Sequence, residues 1–267
     1  MIELYISRPC HNIDIAVRTN SIDLSQHIKA YYDPFISLTP QHTTAEIEVL
    51  VDNDGIWIRT QKQRYKTDHA LQSVINFVYE NISINDDMFA MHAAAIEYQG
   101  QAYVLAGATG SGKTTLTTYL TSKGFGYITD DCTLISRNTF AITPYLCKIH
   151  LRAGGMEVLK SQCIPVESIF FKHSAEARYL YTPQKQMQEP LPLKAILWLN
   201  RTKDQNDTQS ISSGELMRLL MESAISQNKL SGEHLRFLSR LSSIVCQKVR
   251  YQDMGYVEQV IRGIAEC

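Results

Sequence analysis

The stretch of residues 102–131, AYVLAGATGSGKTTLTTYLTSKGFGYITDD, constrains the fold more than any other part of this 267-residue chain. Its first residues are apolar, as in a buried strand, and residues 113–123 have the composition of a helix that ends before Gly124. The turn between them matches G-x-x-x-x-G-K-[S/T], a pattern that cradles phosphate groups, through Gly107, Gly112, Lys113 and Thr114. The sequence therefore predicts a strand, a phosphate-binding turn and a helix.

Each part of this turn has chemistry that suits a nucleotide. Glycines adopt positive φ and let backbone N–H groups approach an anion, and the start of the helix directs its unpaired amides and positive dipole end the same way. Lys113 adds a charge for the β and γ phosphates, and the Thr114 hydroxyl completes a magnesium shell. We expect ATP and Mg²⁺ as cofactors, with the nucleotide bound by Gly107, Ala108, Thr109, Gly110, Ser111, Gly112, Lys113, Thr114 and Thr115.

Two neighbouring carboxylates, Asp130 and Asp131, follow a second predicted strand at residues 126–128. Ligands of open α/β sheets bind beyond the carboxyl ends of the strands, so this strand would bring both carboxylates beside the phosphates. Adjacent strand residues point to opposite faces, which predicts two different roles. One carboxylate would hold Mg²⁺ or its water shell, and the other would accept a proton from an attacking hydroxyl. A solvated Asp-Asp turn is the competing interpretation.

Three runs of sequence together resemble a known family. MHAAAIEYQGQAYVLAGATGSGKTTL, SKGFGYITDD and IHLRAGG, within residues 91–155, are similar to the HPr kinase/phosphorylase family of serine kinases. A closer likeness is to the HPr-kinase-like tailoring enzymes encoded with lasso peptides, which phosphorylate a serine of a precursor peptide. The resemblance implies an α/β fold with a P-loop nucleotide-binding core of the HPr kinase type.

The resemblance also implies site residues. The family's catalytic aspartate falls on Asp130, its neighbour on Asp131, and the histidine before the loop strand on His92. The signature arginine falls on Arg152, so the implied catalytic set is Asp130, His92, Lys113 and Arg152, with Thr114 and Asp131 on the metal. The family's glutamate two positions before that arginine is His150 here, and the glycine after the arginine is Ala153. These departures favour an enzyme that acts only as a kinase, without the family's phosphorylase reaction. Without the family likeness, a single histidine at the start of a strand is more often structural.

The strand pattern of the first 66 residues predicts an antiparallel β module, followed by an amphipathic helix over residues 68–82. We divide the chain into this module, residues 1–85, and a P-loop kinase domain, residues 86–267. The polar, proline-containing segment 161–192 is a mobile lid, a substrate-docking loop or a disordered excursion.

Composition excludes several classes of partner. A formal net charge of −1 gives no reason to expect nucleic acid or an anionic membrane. No apolar run approaches about 18 residues, the length that a transmembrane helix needs. The six cysteines form no C-x-x-C pair, which argues against a zinc site and indicates reduced thiols in the cytoplasm.

The functional expectation is ATP-dependent phosphorylation of a serine hydroxyl in a peptide, and the resemblance implies that this peptide is a ribosomal precursor of the lasso type. An HPr-type protein serine kinase, a P-loop ATPase and a small-molecule kinase stay open as alternatives. The expected partner is a peptide that carries an acceptor serine, and a homo-oligomer also stays open.

Overall fold

The computed structural model describes residues 1–7, 13–40, 43–82, 87–164, 178–225, 232–241 and 243–266. Across these ranges the protein is a mixed α/β structure, whose strands form one six-stranded, one nine-stranded and one two-stranded sheet. No helix in this described part is long and apolar enough to cross a membrane.

The six-stranded sheet is built from the amino-terminal residues, with the strand order β3-β1-β2-β4-β5-β6. Its elements are β1 (Ile2–Ile6), β2 (Ile13–Thr19), α1 (Ile22–Tyr32), β3 (Ile36–Ser37), β4 (Thr43–Asp52), β5 (Gly55–Thr60) and β6 (Arg64–Thr67). β4 and β5 form an antiparallel hairpin. Its turn is shaped by the Asp52 carboxylate, which accepts hydrogen bonds from the backbone N–H groups of Asp54 and Gly55.

The prediction of a wholly antiparallel module is wrong at one pair of strands. β2 and β4 pair in parallel, from Ile13 opposite Thr43 to Thr19 opposite Val49. Helix α1, which the sequence analysis missed, connects them and carries the chain back so that both strands run the same way. Ser21 starts this helix, because its hydroxyl accepts the N–H of Leu24 at 3.2 Å. The alternation of apolar and polar residues predicts a strand but does not say whether two strands run parallel or antiparallel. That direction depends on the segment that connects them.

Helix α2 (Ala70–Ile82) confirms the predicted amphipathic helix. With α1 it covers the inner face of the six-stranded sheet, and the side chains of Val74 and Val78 are fully buried there. The same hydrophobic cluster includes Leu134 and Tyr145 from later in the chain. The amino-terminal sheet and the rest of the protein therefore share a core.

The larger sheet and its helices come from the remaining residues. Their elements are β7 (Met88–Met91), β8 (Ala94–Tyr98), β9 (Gln101–Ala106), α3 (Lys113–Ser122), β10 (Gly126–Thr129), β11 (Thr133–Ser136), β12 (Ala141–Thr143), β13 (Ile149–Arg152), α4 (Ala153–Ser161), β14 (Arg178–Tyr181), β15 (Leu191–Arg201), β16 (Asp207–Ser210), α5 (Ser213–Ser223), α6 (Gly232–Leu241), β17 (Val245–Tyr251) and α7 (Met254–Ala265). The strand and helix predicted around the glycine-rich turn are thus confirmed as β9 and α3.

The directions of four strands matter for the site. β9 pairs in parallel with β15, and β15 pairs in parallel with β17. On its other side β9 pairs antiparallel with β8, which in turn pairs antiparallel with β10. β9, β10, β15 and β17 therefore all run the same way, and their carboxyl ends lie at one edge of the sheet.

Helices cover both faces of the larger sheet. Along β9, Tyr103 and Leu105 pack with α3, α4 and α7 on one face, whereas Val104 and Ala106 pack with α5 and α6 on the other. This burial on both faces explains why the strand is a continuous apolar run.

Part of the segment 161–192, which was predicted to be a lid or a disordered excursion, lies within the described residues. Residues 165–177 lie outside the described residues. The part that follows forms β14, which pairs with β13, and then approaches β10. There the Tyr127 N–H donates to the Lys185 carbonyl at 2.8 Å, and the Met187 N–H donates to the Tyr127 carbonyl at 2.9 Å. Residues 178–192 are therefore attached to the sheets.

Leu105→Ala is expected to lower the free energy of unfolding by about 2–5 kcal/mol, since it empties a fully buried site in β9. The matched change Leu38→Ala removes the same atoms from a side chain that is 75% exposed and should change it by less than about 0.5 kcal/mol. Urea denaturation followed by circular dichroism measures both. Equal losses in the two variants would contradict the described core.

Candidate functional site

The glycine-rich turn joins β9 to α3, and two of its glycines sit where no larger residue fits. Gly107 has a φ of 148°, and a Cβ added to it would lie 2.6 Å from the backbone oxygen of Leu199 in β15. Gly112 has a φ of 90°, and an added Cβ would collide with the Tyr251 hydroxyl. The turn therefore requires glycine at both positions, for backbone conformation and for space.

Tyr251, the last residue of β17, fixes the turn from the side. Its buried hydroxyl donates a hydrogen bond to the Ser111 carbonyl at 2.6 Å. Burial raises the pKa of Tyr251 to about 12, so the hydroxyl keeps the proton that it donates. The turn is thus held against the carboxyl ends of β15 and β17.

Lys113 begins α3 and is only 6% exposed. Its Nζ donates to the carbonyl oxygens of Gly107 at 2.8 Å and Ala108 at 3.3 Å. Burial lowers the pKa of Lys113, and the carboxylates of Asp131 and Asp130 act in the opposite direction. The ammonium group thus lies inside the turn, near both carboxylates.

A cavity of about 410 Å³ opens beside the turn. Its walls come from the turn and α3, from the carboxyl ends of β10 and β15, from β13 with α4, and from α2 of the amino-terminal module. They contain Gln72, His92, Thr109, Gly110, Gly112, Lys113, Thr114, Thr115, Asp131, His150, Leu151, Arg152, Gly155 and Arg201. The cavity thus collects residues from both parts of the chain.

The two carboxylates after β10 have different surroundings. Asp131 lines the cavity, whereas Asp130 lies behind the wall and is 5% exposed. Burial and the charge of Asp131 raise the pKa of Asp130 well above its usual value. A hydrogen bond from Thr114 and the charge of Lys113 oppose this shift. The expected difference between the two side chains is present, and Asp130 is the buried one.

The residues present fit a magnesium ion that is shared with a nucleotide. Asp130 Oδ1 is buried and has no hydrogen-bond partner in the described part of the protein, and the Thr114 hydroxyl lies beside the same carboxylate. Within the described ranges no three His, Cys, Asp or Glu residues form a group that could hold a metal alone. Mg²⁺ commonly takes only one or two carboxylates and completes its shell with waters and substrate phosphates.

His92 stands at the mouth of the cavity. Its Nδ1 lies 3.2 Å from the backbone carbonyl oxygen of Asp131. A carbonyl oxygen only accepts, so Nδ1 carries the proton of this hydrogen bond. Loss of surrounding water lowers the pKa of His92, Asp131 opposes the shift, and Lys113 adds to it. A neutral ring then presents Nε2 as an acceptor.

A second helix begins at the cavity. Arg152 is the last residue of β13 and the N-cap of α4, and both Arg152 and Gly155 line the cavity. A Cβ added to Gly155 would lie 2.7 Å from the Thr115 hydroxyl, so glycine allows α4 to approach α3 closely. The starts of two helices therefore meet here, and both favour an anion.

Most of the predicted site residues meet at this cavity. Thr109, Gly110, Gly112, Lys113, Thr114, Thr115, Asp131, His92 and Arg152 line it. The others, Gly107, Ala108, Ser111 and Asp130, lie in the turn or behind the wall. Sequence reasoning missed Gln72 and Arg201 as wall residues. The sequence did contain a signal for Arg201, because this residue ends an apolar strand, and ligands bind beyond the carboxyl ends of such strands. The sequence contained no such signal for Gln72, since this residue lies on helix α2 of the amino-terminal module.

A family model and a solved structure are similar to this chain. Residues 58–182 match the model of the family described as SynChlorMet cassette protein ScmC. The HPr(Ser) kinase/phosphatase from Coxiella burnetii is similar with a TM-score of 0.33 and 12% sequence identity, over 66% of this chain and 93% of that chain. No curated protein matches the chain.

Asp130→Asn is expected to stabilise the fold at about pH 8 relative to wild type, and this advantage should shrink toward about pH 4. A carboxyl whose pKa is raised on folding contributes stability at low pH, and the contribution is lost as the pH rises through the raised pKa. Asn keeps the shape and carries no charge.

Urea denaturation across this pH range measures the effect. Asp204→Asn, at an exposed carboxylate, is the matched control and should leave stability nearly unchanged at every pH. If Asp130→Asn destabilised the protein increasingly as the pH rose, the described surroundings of Asp130 would be wrong.

Proposed function

We propose that this protein is an ATP-dependent kinase that transfers the γ-phosphoryl group to a serine hydroxyl of a peptide. The supporting observation is that the glycine-rich turn, with Lys113 and Thr114, shares one cavity with the carboxylate of Asp131. Phosphoryl transfer needs charge neutralisation and positioning of a hydroxyl, and these groups supply both.

The turn and α3 bind the phosphates in this proposal. Backbone N–H groups and the dipole of α3 attract the anion, and Lys113 exchanges the carbonyl oxygens of Gly107 and Ala108 for phosphate oxygens. Thr114 and Asp130 would hold Mg²⁺, which would neutralise charge on the phosphates. Tyr251 keeps the turn in shape before the nucleotide arrives.

Asp131 accepts the proton of the serine hydroxyl. It lies in the wall of the cavity, where an acceptor can reach it, and a general base must be within hydrogen-bonding reach of the proton that it takes. Asp130 is buried against Thr114, a position that suits the metal. This proposal reverses the division of roles that the family resemblance implies. His92 stays next to Asp131 as a hydrogen-bonding neighbour.

The acceptor is proposed to be an extended peptide, specifically a ribosomal precursor of the lasso type, as the sequence resemblance implies. β6 is an edge strand of the amino-terminal sheet and pairs only with β5 among the described residues. Its outward side chains Arg64 and Lys66 lie over the Trp57 ring, at 5.0 and 5.7 Å from the centroid. An acidic peptide could add to this edge as a further strand.

The β6 edge also leads toward the cavity. β6 ends at Thr67, α2 begins at Ala70, and Gln72 in the first turn of α2 lines the cavity. A peptide held along β6 would therefore have its neighbouring residues near the wall that contains Asp131. The reaction requires ATP, and we place it in the cytoplasm, where ATP is available.

Asp130→Asn is expected to raise the Mg²⁺ concentration needed for half-maximal activity by about tenfold or more, because a proposed metal ligand is lost. Asp131→Asn should lower kcat by about 100-fold or more with little change in nucleotide binding, because the proton acceptor is lost. Magnesium titrations of both variants test the assignment. If Asp131→Asn raised the Mg²⁺ requirement and Asp130→Asn lowered kcat, the roles implied by the resemblance would be correct. Identical magnesium titrations for the two variants would contradict both assignments.

A precursor peptide encoded next to this chain is expected to gain one phosphoryl group on incubation with the protein and Mg-ATP, as measured by mass spectrometry. The peptide with its acceptor Ser→Ala should gain none, and Lys113→Ala should give an inactive protein with an unchanged circular dichroism spectrum. The double variant Arg64→Glu/Lys66→Glu should raise KM for the peptide about fivefold and leave kcat unchanged.

Arg236→Glu reverses one exposed charge on α6, outside the described cavity walls, and as the control it should change neither constant. Phosphorylation of HPr with none on any precursor peptide would contradict the proposed acceptor and favour an HPr-type kinase. ADP release at the full rate without any acceptor would instead favour an ATPase.

A further inference from the structure

A second cavity, of about 140 Å³, adjoins the first on the opposite side of the turn from Asp131. Gly112, Thr115 and Arg201 line both cavities. Asp131 follows β10, which lies on the β8 side of β9, whereas Arg201 ends β15 on the other side. The turn therefore separates a cavity that contains the carboxylate from a cavity beyond the ends of β15 and β17.

We propose that this second cavity binds the adenosine part of ATP, and we call it the nucleoside cavity. The inference rests on the proposed function, in which the turn holds the phosphates and the acceptor arrives beside Asp131. The terminal phosphate must then face Asp131. The remaining phosphates and the ribose must extend the other way, across Gly112 and Thr115 toward Arg201.

The walls of the nucleoside cavity have the chemistry that a purine needs. Gln162, at the end of α4, and Gln252, just after β17, carry exposed amides that both donate and accept hydrogen bonds. Such an amide matches the donor and acceptor edge of adenine. Val158 and Met254 add apolar surface for the faces of the base.

Two charged residues, Asp253 and Arg201, also line the nucleoside cavity, and they have different roles. Asp253 is already fixed, since one carboxylate oxygen accepts the Tyr256 N–H at 2.9 Å and the other accepts the Asn206 side-chain amide at 3.0 Å. It shapes the start of α7, and its hydrogen bonds do not depend on the base. Arg201 is exposed and lines both cavities, so in this proposal its guanidinium would contact the phosphate nearest the ribose.

Isothermal titration calorimetry with Mg-ATP and with inorganic tripolyphosphate tests this placement, because the two ligands share the phosphates and differ in the nucleoside. Wild type is expected to bind ATP more tightly than tripolyphosphate. The double variant Gln162→Ala/Gln252→Ala should weaken ATP binding about tenfold and change tripolyphosphate binding by less than about twofold. Both side chains are exposed, so the fold should tolerate their loss.

Gln205→Ala, an exposed glutamine in the loop after β15, is the matched control and should leave both affinities unchanged. The proposal is overturned if the double variant weakens both ligands equally or neither, or if wild type binds tripolyphosphate as tightly as ATP. In those cases the proposed kinase function stands. If wild type binds neither ligand, the proposed function fails and this inference fails with it.

Discussion

The contact between Tyr251 and the glycine-rich turn is the constraint on which the site depends. The Tyr251 hydroxyl binds the Ser111 carbonyl and leaves no room for a Cβ at Gly112. Tyr251 ends β17, which is aligned in parallel with β15, and β15 is aligned in parallel with the loop strand β9. The turn is thus given its shape by three neighbouring strands before any ligand is present, which reduces the entropy lost on binding.

The amino-terminal module contributes to the site as well as to the core. Gln72 lines the main cavity, and the ring of Tyr31 packs at 5.9 Å from the ring of His150, another wall residue. The Lys148 N–H also donates to the Tyr31 carbonyl, just before β13. The wall that faces an incoming acceptor is therefore built by both parts of the chain, whereas the nucleoside cavity is built by the larger sheet and its helices.

Local chemistry in the sequence predicts the turn well, because glycine spacing, Lys113 and the apolar strand before them act within a few residues of each other. The direction of β4 relative to β2 could not be predicted, since it depends on the missed helix α1. The burial of Asp130 could not be predicted either. The pairing of β10 with β8 shifts register between Tyr127 and Thr129, so simple alternation does not say which carboxylate faces the cavity.

A crystal structure of the protein with Mg²⁺ and ADP tests the central claim most directly. We expect the β-phosphate to lie against the backbone amides of residues 109–114, and Lys113 Nζ to have left the carbonyl oxygens of Gly107 and Ala108 for that phosphate. We also expect the Mg²⁺ ion to lie beside Thr114 and Asp130. ADP bound elsewhere, with Lys113 still bonded to the two carbonyls, would contradict the claim that this turn is the nucleotide site.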